Sequence, residues 1–100
     1  MKISILLPYK ENFSPKNAGA VSLFVNDSTL NSRFKKNIFV FGNMKYKNSF
    51  TKNYINVLLK KNTFQSTSKN YIKSFIEHEN KYKSDLIEIH NRPNYIKYFI

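Results

Sequence analysis

Short, mainly apolar runs alternate along this chain with segments of helical periodicity, and this alternation constrains the fold more than any other feature. The runs are residues 3–7, 38–41, 54–59 and 86–89. Such runs are typical of strands in a parallel sheet, because helices cover both faces of that kind of sheet. The sequence therefore predicts four buried strands.

Between these runs, apolar residues recur at spacings of three and four, as they do on one face of a helix. Asn17 is available as the N-cap of a first helix, and the hydroxyl residues 66–68 offer caps for a second. Pro93 suits the first turn of a third. The predicted apolar faces are Ala20, Val21, Phe24, Val25 and Ser28; Tyr71, Ile72, Phe75 and Ile76; and Tyr95, Ile96 and Phe99.

The order of these elements is strand, helix, strand, strand, helix, strand, helix. With right-handed crossovers, this order gives a partial doubly wound, Rossmann-like parallel sheet of the α/β class, with helices on both faces. Residues 1–100 are expected to form a single, incomplete domain, because a sheet covered on both faces usually needs a longer chain. We therefore expect a fragment, and an exposed last strand that favours a dimer.

Positive charge dominates the composition, with 17 basic and 6 acidic residues and a net charge of +11. All the basic residues except Arg33 and Arg92 are lysine, whereas specific phosphate and base readers favour the planar guanidinium of arginine. Lys, Asn, Ile, Phe and Tyr are together the residues of AT-rich codons. Codon composition is therefore the favoured explanation of the charge. Attraction to acidic lipid headgroups is the next explanation, and nucleic-acid binding is the least favoured.

Few features of the sequence bear on the cellular compartment. The chain has no cysteine, which rules out disulfides and thiolate metal sites and suits the cytoplasm. No apolar run approaches the roughly 20 residues of a membrane span, and the first run is too short for a signal-peptide core. We expect a cytoplasmic protein, with peripheral contact to the inner face of the membrane as an additional hypothesis.

Two polar segments follow predicted strands, at the edge where parallel α/β sheets bind ligands. The first contains Tyr9, Lys10 and Glu11, and then the small residues Ala18, Gly19 and Ala20 at a helix start. Small side chains there let a phosphate approach backbone N–H groups, which the helix dipole favours. We predict substrate or phosphate binding at the three small residues and an acceptor loop at the other three. Glu11 either acts on an acceptor hydroxyl or is an exposed loop carboxylate.

The second polar segment is His90, Asn91 and Arg92, which follows residues 86–89. These side chains are predicted to bind substrate or phosphate, and the guanidinium of Arg92 offers a planar fork for an anion. His90 is equally well explained as a structural histidine, and Arg92 as a partner of Glu88. His78 lies between two glutamates and is expected to face solvent. No metal is predicted, because no second histidine stands at a zinc-binding spacing.

Residues 2–8, the sequence Ala18-Gly19-Ala20-Val21 and residues 85–93 together resemble the amino-terminal, acceptor-side domain of family 4 glycosyltransferases with the GT-B fold. The resemblance implies transfer of a sugar from a nucleotide-sugar donor to an acceptor hydroxyl, with retention of configuration. It further implies a role in surface polysaccharide or lipopolysaccharide synthesis, a glycan or lipid-linked acceptor, and no metal or other cofactor. Ala18 stands where the family has the first of two loop glycines.

The same resemblance implies a second, donor-binding domain that these residues do not include. No catalytic residue is assigned, and the 100-residue chain alone is expected to be inactive. Two other function classes remain open. One is a non-catalytic nucleotide- or phosphate-binding α/β module, since doubly wound sheets host many chemistries. The other, less favoured, is a basic nucleic-acid-binding domain.

Overall fold

A computed structural model of the chain describes residues 1–59 and 67–90. Four parallel strands form one sheet in the order β3-β2-β1-β4. The elements along the chain are β1 (Ile3–Leu6), α1 (Ala20–Leu30), a 3-10 helix (Lys35–Asn37), β2 (Ile38–Gly42), β3 (Tyr54–Asn56), α2 (Thr67–Tyr82) and β4 (Leu86–Ile89). The predicted α/β class and its partial Rossmann-like parallel sheet are confirmed.

Strand β1 is the centre of the sheet. Its residue Ile3 pairs with Ile38 of β2 on one side and with Leu86 of β4 on the other. Three of its four residues are buried, as expected for a strand that has neighbours on both edges and helices on both faces. The chain leaves β1 toward β2, and later returns from β3 to the far side of β1. The order of the strands therefore changes direction between β1 and β4.

The two faces of the sheet carry separate apolar clusters. On one face, Val25 of α1 packs with residues of β1 and β2 such as Ile5 and Val40. On the other, α2 contributes Tyr71, Ile72 and Phe75. Each helix thus covers one face of the sheet, and burial of apolar side chains on both faces stabilises it by removing their surface from water. Tyr71 also donates a hydrogen bond from its hydroxyl to the Leu7 carbonyl, at 2.6 Å, which ties α2 to the end of β1.

Two details of the first helix differ from the sequence prediction. Asn17 does not cap it: α1 begins after Gly19, and Asn17 lies in the preceding loop with φ of 53°. The buried residues are Ser22, Val25 and Thr29, whereas Phe24 is 61% exposed. The predicted face was wrong because it was chosen by the spacing of apolar residues, which includes Phe24. The positions that are buried against the sheet include the small polar residues Ser22 and Thr29.

The environment of His78 was also predicted wrongly. Its imidazole is not solvent-facing but half-buried, 4.9 Å from the ring of Phe41 and 4.4 Å from that of Tyr82, measured between centroids. Burial, followed by the nearby charge of Lys2, lowers the pKa of His78. Its flanking glutamates had indicated a solvated face, but Glu79 is itself buried.

Glu79 joins the end of α2 to β1 at the amino edge of the sheet. Its carboxylate accepts hydrogen bonds from Ser4 Oγ at 2.6 Å, from Ser84 Oγ at 2.7 Å and from the Ser84 backbone N–H at 2.9 Å. Burial alone would raise the pKa of Glu79, but these hydrogen bonds and the charge of Lys2 outweigh it and hold the pKa below its usual value. We call these three residues the Glu79 cluster.

Candidate ligand-binding site

The loop that leaves β1 makes a sharp turn at the carboxyl edge of the sheet. The Glu11 N–H donates to the Pro8 carbonyl at 3.1 Å, and Lys10 has φ of 66°. A left-handed conformation costs a residue with a side chain about 1–2 kcal/mol. Strain of this kind is concentrated at functional loops, so this turn is a reason to look for a site beside it.

A cleft of about 370 Å³ lies beside this turn, between the loop after β1 and the loop after β2. We call it the carboxyl-edge cleft. Its walls are rich in hydrogen-bonding side chains and contain no acidic residue among the described residues that line it. The lining residues are Lys10, Asn12, Asn43, Met44, Lys45 and Tyr46.

Contacts with neighbouring segments hold two of these polar side chains in place. The Asn43 side-chain amide donates to the Val57 carbonyl at 2.8 Å. The Tyr46 hydroxyl accepts a hydrogen bond from the Asn17 amide at 2.6 Å, which leaves its own proton available to a ligand. Amides, a phenol and ammonium groups offer both donors and acceptors. This arrangement suits a ligand with several hydroxyl groups and tolerates a negative charge.

Glu11 belongs to the same loop but is directed to the start of α1. Its Oε2 accepts a hydrogen bond from the Ser22 N–H, the third residue of the helix, at 3.0 Å. A Cβ placed on Gly19 would lie 2.5 Å from the same oxygen. The carboxylate therefore occupies the anion position that Gly19 opens at the helix N-terminus, and it complements the positive end of the helix dipole. Glu11 is therefore not a solvated loop carboxylate but caps the helix; its role toward an acceptor hydroxyl stays a prediction.

We expect Glu11→Ala to destabilise the chain by about 1 kcal/mol, the usual cost of removing a helix N-cap acceptor. Glu11→Gln, which keeps an acceptor oxygen, should cost less, and Gly19→Ala should resemble Glu11→Ala because it displaces the carboxylate. Urea unfolding followed by circular dichroism measures these differences. Asp27→Ala removes an exposed carboxylate from the same helix and is the control, with a change within about 0.5 kcal/mol. Equal stability of Glu11→Ala and the unaltered chain would show that the cap contributes nothing.

The structure places His90 immediately after β4, with its backbone N–H donating to the Leu6 carbonyl at 3.1 Å. Its imidazole Nε2 lies 2.7 Å from Glu88 Oε2, and the side chain is 16% exposed. The ring of Phe24 approaches it edge-on, with 6.1 Å between centroids. His90 thus has the protein partners of a structural histidine, while lying at the same edge of the sheet as the loop after β1.

The other predicted site residues divide between this edge and the core. Tyr9 is half-buried and packs edge-on against Tyr71, with 5.4 Å between ring centroids, so its ring is part of the core beneath the loop. Ala18 and Ala20 flank the glycine that Glu11 covers. Asn91 and Arg92 lie outside the described residues. Within the described chain, Lys10 is the predicted residue that lines the carboxyl-edge cleft.

Sequence reasoning missed five of the residues that line the cleft. Lys45 and Tyr46 fall in a basic segment without periodicity, Asn43 and Met44 come just before it, and Asn12 lies in a polar loop. The available signal was positional: residues 43–46 directly follow a buried strand, at the edge where polar side chains meet a ligand.

Among residues 1–59 and 67–90, no group of three or more His, Asp or Glu side chains is arranged to hold a metal ion. In that same part of the chain, no helix has both the length and the apolar character needed to cross a bilayer. Comparisons with protein-family models, with curated proteins and with solved structures find no match to this chain.

Proposed function

We propose that this chain is the acceptor-side portion of a retaining glycosyltransferase, which moves a sugar from a nucleotide-sugar donor to an acceptor hydroxyl in surface polysaccharide or lipopolysaccharide synthesis. The observation that carries the proposal is the carboxyl-edge cleft, whose amide, phenol and ammonium groups suit a polyhydroxyl ligand. The sheet order and the sequence resemblance support it.

In this proposal the cleft holds the acceptor. Asn12, Asn43 and the Tyr46 hydroxyl orient sugar hydroxyl groups, and the ammonium groups of Lys10 and Lys45 attract a negatively charged acceptor or its lipid-linked phosphate. The donor nucleotide belongs to a second domain, so residues 1–100 alone bind an acceptor sugar without transferring one. A cytoplasmic location with peripheral contact to the inner membrane face fits a lipid-linked acceptor.

Saturation-transfer NMR on the full chain tests the proposal with two probes, a set of methyl hexosides and uridine diphosphate. We expect a hexoside to bind weakly, with Kd of about 1 mM, equivalent to roughly 4 kcal/mol, and the nucleotide to bind more weakly still. Asn43→Ala should reduce hexoside binding, whereas Asn80→Ala, the same change at an exposed site on α2, should not. Tight nucleotide binding without hexoside binding would replace this proposal with the nucleotide-binding module.

A further inference from the structure

A second concave site lies at the opposite, amino edge of the sheet. It is bounded by the end of α1, the 3-10 helix and residues 50–53, which lead into β3, and its volume is about 470 Å³. We call it the amino-edge hollow. The strands run away from it toward the carboxyl edge, so it is separate from the carboxyl-edge cleft and independent of the proposed function.

The hollow is strongly basic. Lys35, Lys36 and Lys52 all line it, and no acidic residue is among the described residues that do so. The C-terminal end of α1 contributes a partial negative charge of about one half. Three ammonium groups outweigh that charge several-fold, so the local potential attracts anions.

Two threonines line the hollow together with these lysines. Thr29, in the last turn of α1, is 3% exposed, and both Thr29 Oγ1 and Thr51 Oγ1 are buried without a hydrogen-bond partner within the described chain. An unpaired buried hydroxyl costs stability, because the hydrogen bonds it makes to water in the unfolded chain are not replaced. A ligand that accepts hydrogen bonds from both hydroxyls would explain why two unpaired threonines lie in a basic hollow.

We propose that the amino-edge hollow binds a phosphate group. A phosphate offers several strong acceptor oxygens and up to two negative charges, which match the three lysines and two hydroxyl donors. The hydroxyls are screened from solvent without a ligand. Binding therefore requires a movement of the side chains around these hydroxyls that admits the anion.

The phosphate has two possible sources, a soluble phosphate ester or the headgroup of an acidic lipid. Both present the same chemistry to the hollow, and they differ only in whether a membrane surface is required. The three lysines are exposed, so their ammonium groups can reach a phosphate in solution or one at a membrane surface.

Titration of the isotopically labelled full chain with inorganic phosphate, followed by amide NMR shifts, tests the proposal. We expect saturable shifts at Thr29, Thr51 and Asn53, weakened by added salt. The double variant Lys36→Ala with Lys52→Ala should weaken binding by at least about tenfold. Its control is Lys47→Ala with Lys73→Ala, which removes the same charge from exposed residues outside the hollow and should retain the affinity of the unaltered chain.

Thr29→Val separates binding from folding, since it replaces an unpaired hydroxyl by a methyl group of similar shape. We expect the ligand-free variant to be at least as stable as the unaltered chain and to lose several-fold in phosphate affinity. Sedimentation with phosphatidylcholine vesicles, with and without phosphatidic acid, identifies the source. Pelleting only with phosphatidic acid indicates a headgroup, and phosphate binding without pelleting indicates a soluble ester. Absence of saturable shifts at the hollow, or equal affinities in all these variants, would overturn the proposal.

Discussion

Phe41→Ala is expected to destabilise the chain by about 3–5 kcal/mol, the cost of truncating a fully buried phenylalanine. Phe41 is 0% exposed in the cluster between the sheet and α2, and its ring meets that of Phe75 edge-on at 4.9 Å between centroids. Small domains have only about 5–15 kcal/mol of total stability, so this one change should remove much of it.

Urea unfolding monitored by circular dichroism measures the loss, and Phe24→Ala provides a matched control. Phe24 is 61% exposed, so the same truncation there should cost less than about 1 kcal/mol. Phe41→Leu is a milder variant for the case in which Phe41→Ala does not fold, with an expected loss of about 1–1.5 kcal/mol. Similar losses at the exposed and buried positions would contradict the packing of Phe41 between the sheet and α2.

Glu79→Ala is expected to cost about 3 kcal/mol, because it removes the acceptor of the Glu79 cluster and leaves buried serine donors to find other partners. Ser4 lies in β1 and Ser84 lies between α2 and β4, so the carboxylate links the end of α2 to the central strand and to the segment that leads into β4. Glu77→Ala, two residues earlier in α2 at an exposed position, should cost less than about 1 kcal/mol. Equal effects of the two changes would show that the cluster is not a structural link.

The same cluster gives the chain a predictable dependence on pH. The pKa of Glu79 is lower in the folded chain than in the unfolded chain, so its stabilising contribution is complete above the ordinary glutamate pKa of about 4.3. The contribution is lost as the pH falls through the lower, folded-state pKa. Unfolding free energy should therefore decline less steeply below about pH 4.3 in Glu79→Gln than in the unaltered chain. Parallel pH profiles would contradict this assignment.

The strands were the most predictable part of the fold. Residues 86–89 were predicted as a strand with the bounds that β4 has, because an apolar run between polar segments identifies a strand regardless of distant contacts. The prediction that all four strands are buried was wrong: β3 and β4 lie at the two edges of the described sheet, and their residues are half-buried or exposed. The third run was predicted too long, since β3 ends at Asn56. β3 lies at the edge of the sheet. The residues after Asn56 are apolar, but an apolar side chain does not by itself extend the strand.

The features that sequence reasoning missed depend on contacts between distant parts of the chain. The cap of α1 comes from Glu11 rather than from the adjacent Asn17, and no local pattern signals a carboxylate that returns from an earlier loop. The carboxyl-edge cleft likewise forms where the loops after β1 and β2 meet. His78 is covered by aromatic rings from β2 and from its own helix. Its charged neighbours in the sequence give no indication of this burial.

The location of a bound sugar tests the central claim most directly. Amide NMR shifts of the labelled full chain should be followed during titration with the methyl hexoside that binds best. The account predicts saturable shifts at residues 10–12 and 43–46, with the amino-edge hollow unaffected. Hexoside-induced shifts confined to other surfaces, or none at any accessible concentration, would contradict a role for the carboxyl-edge cleft in sugar binding.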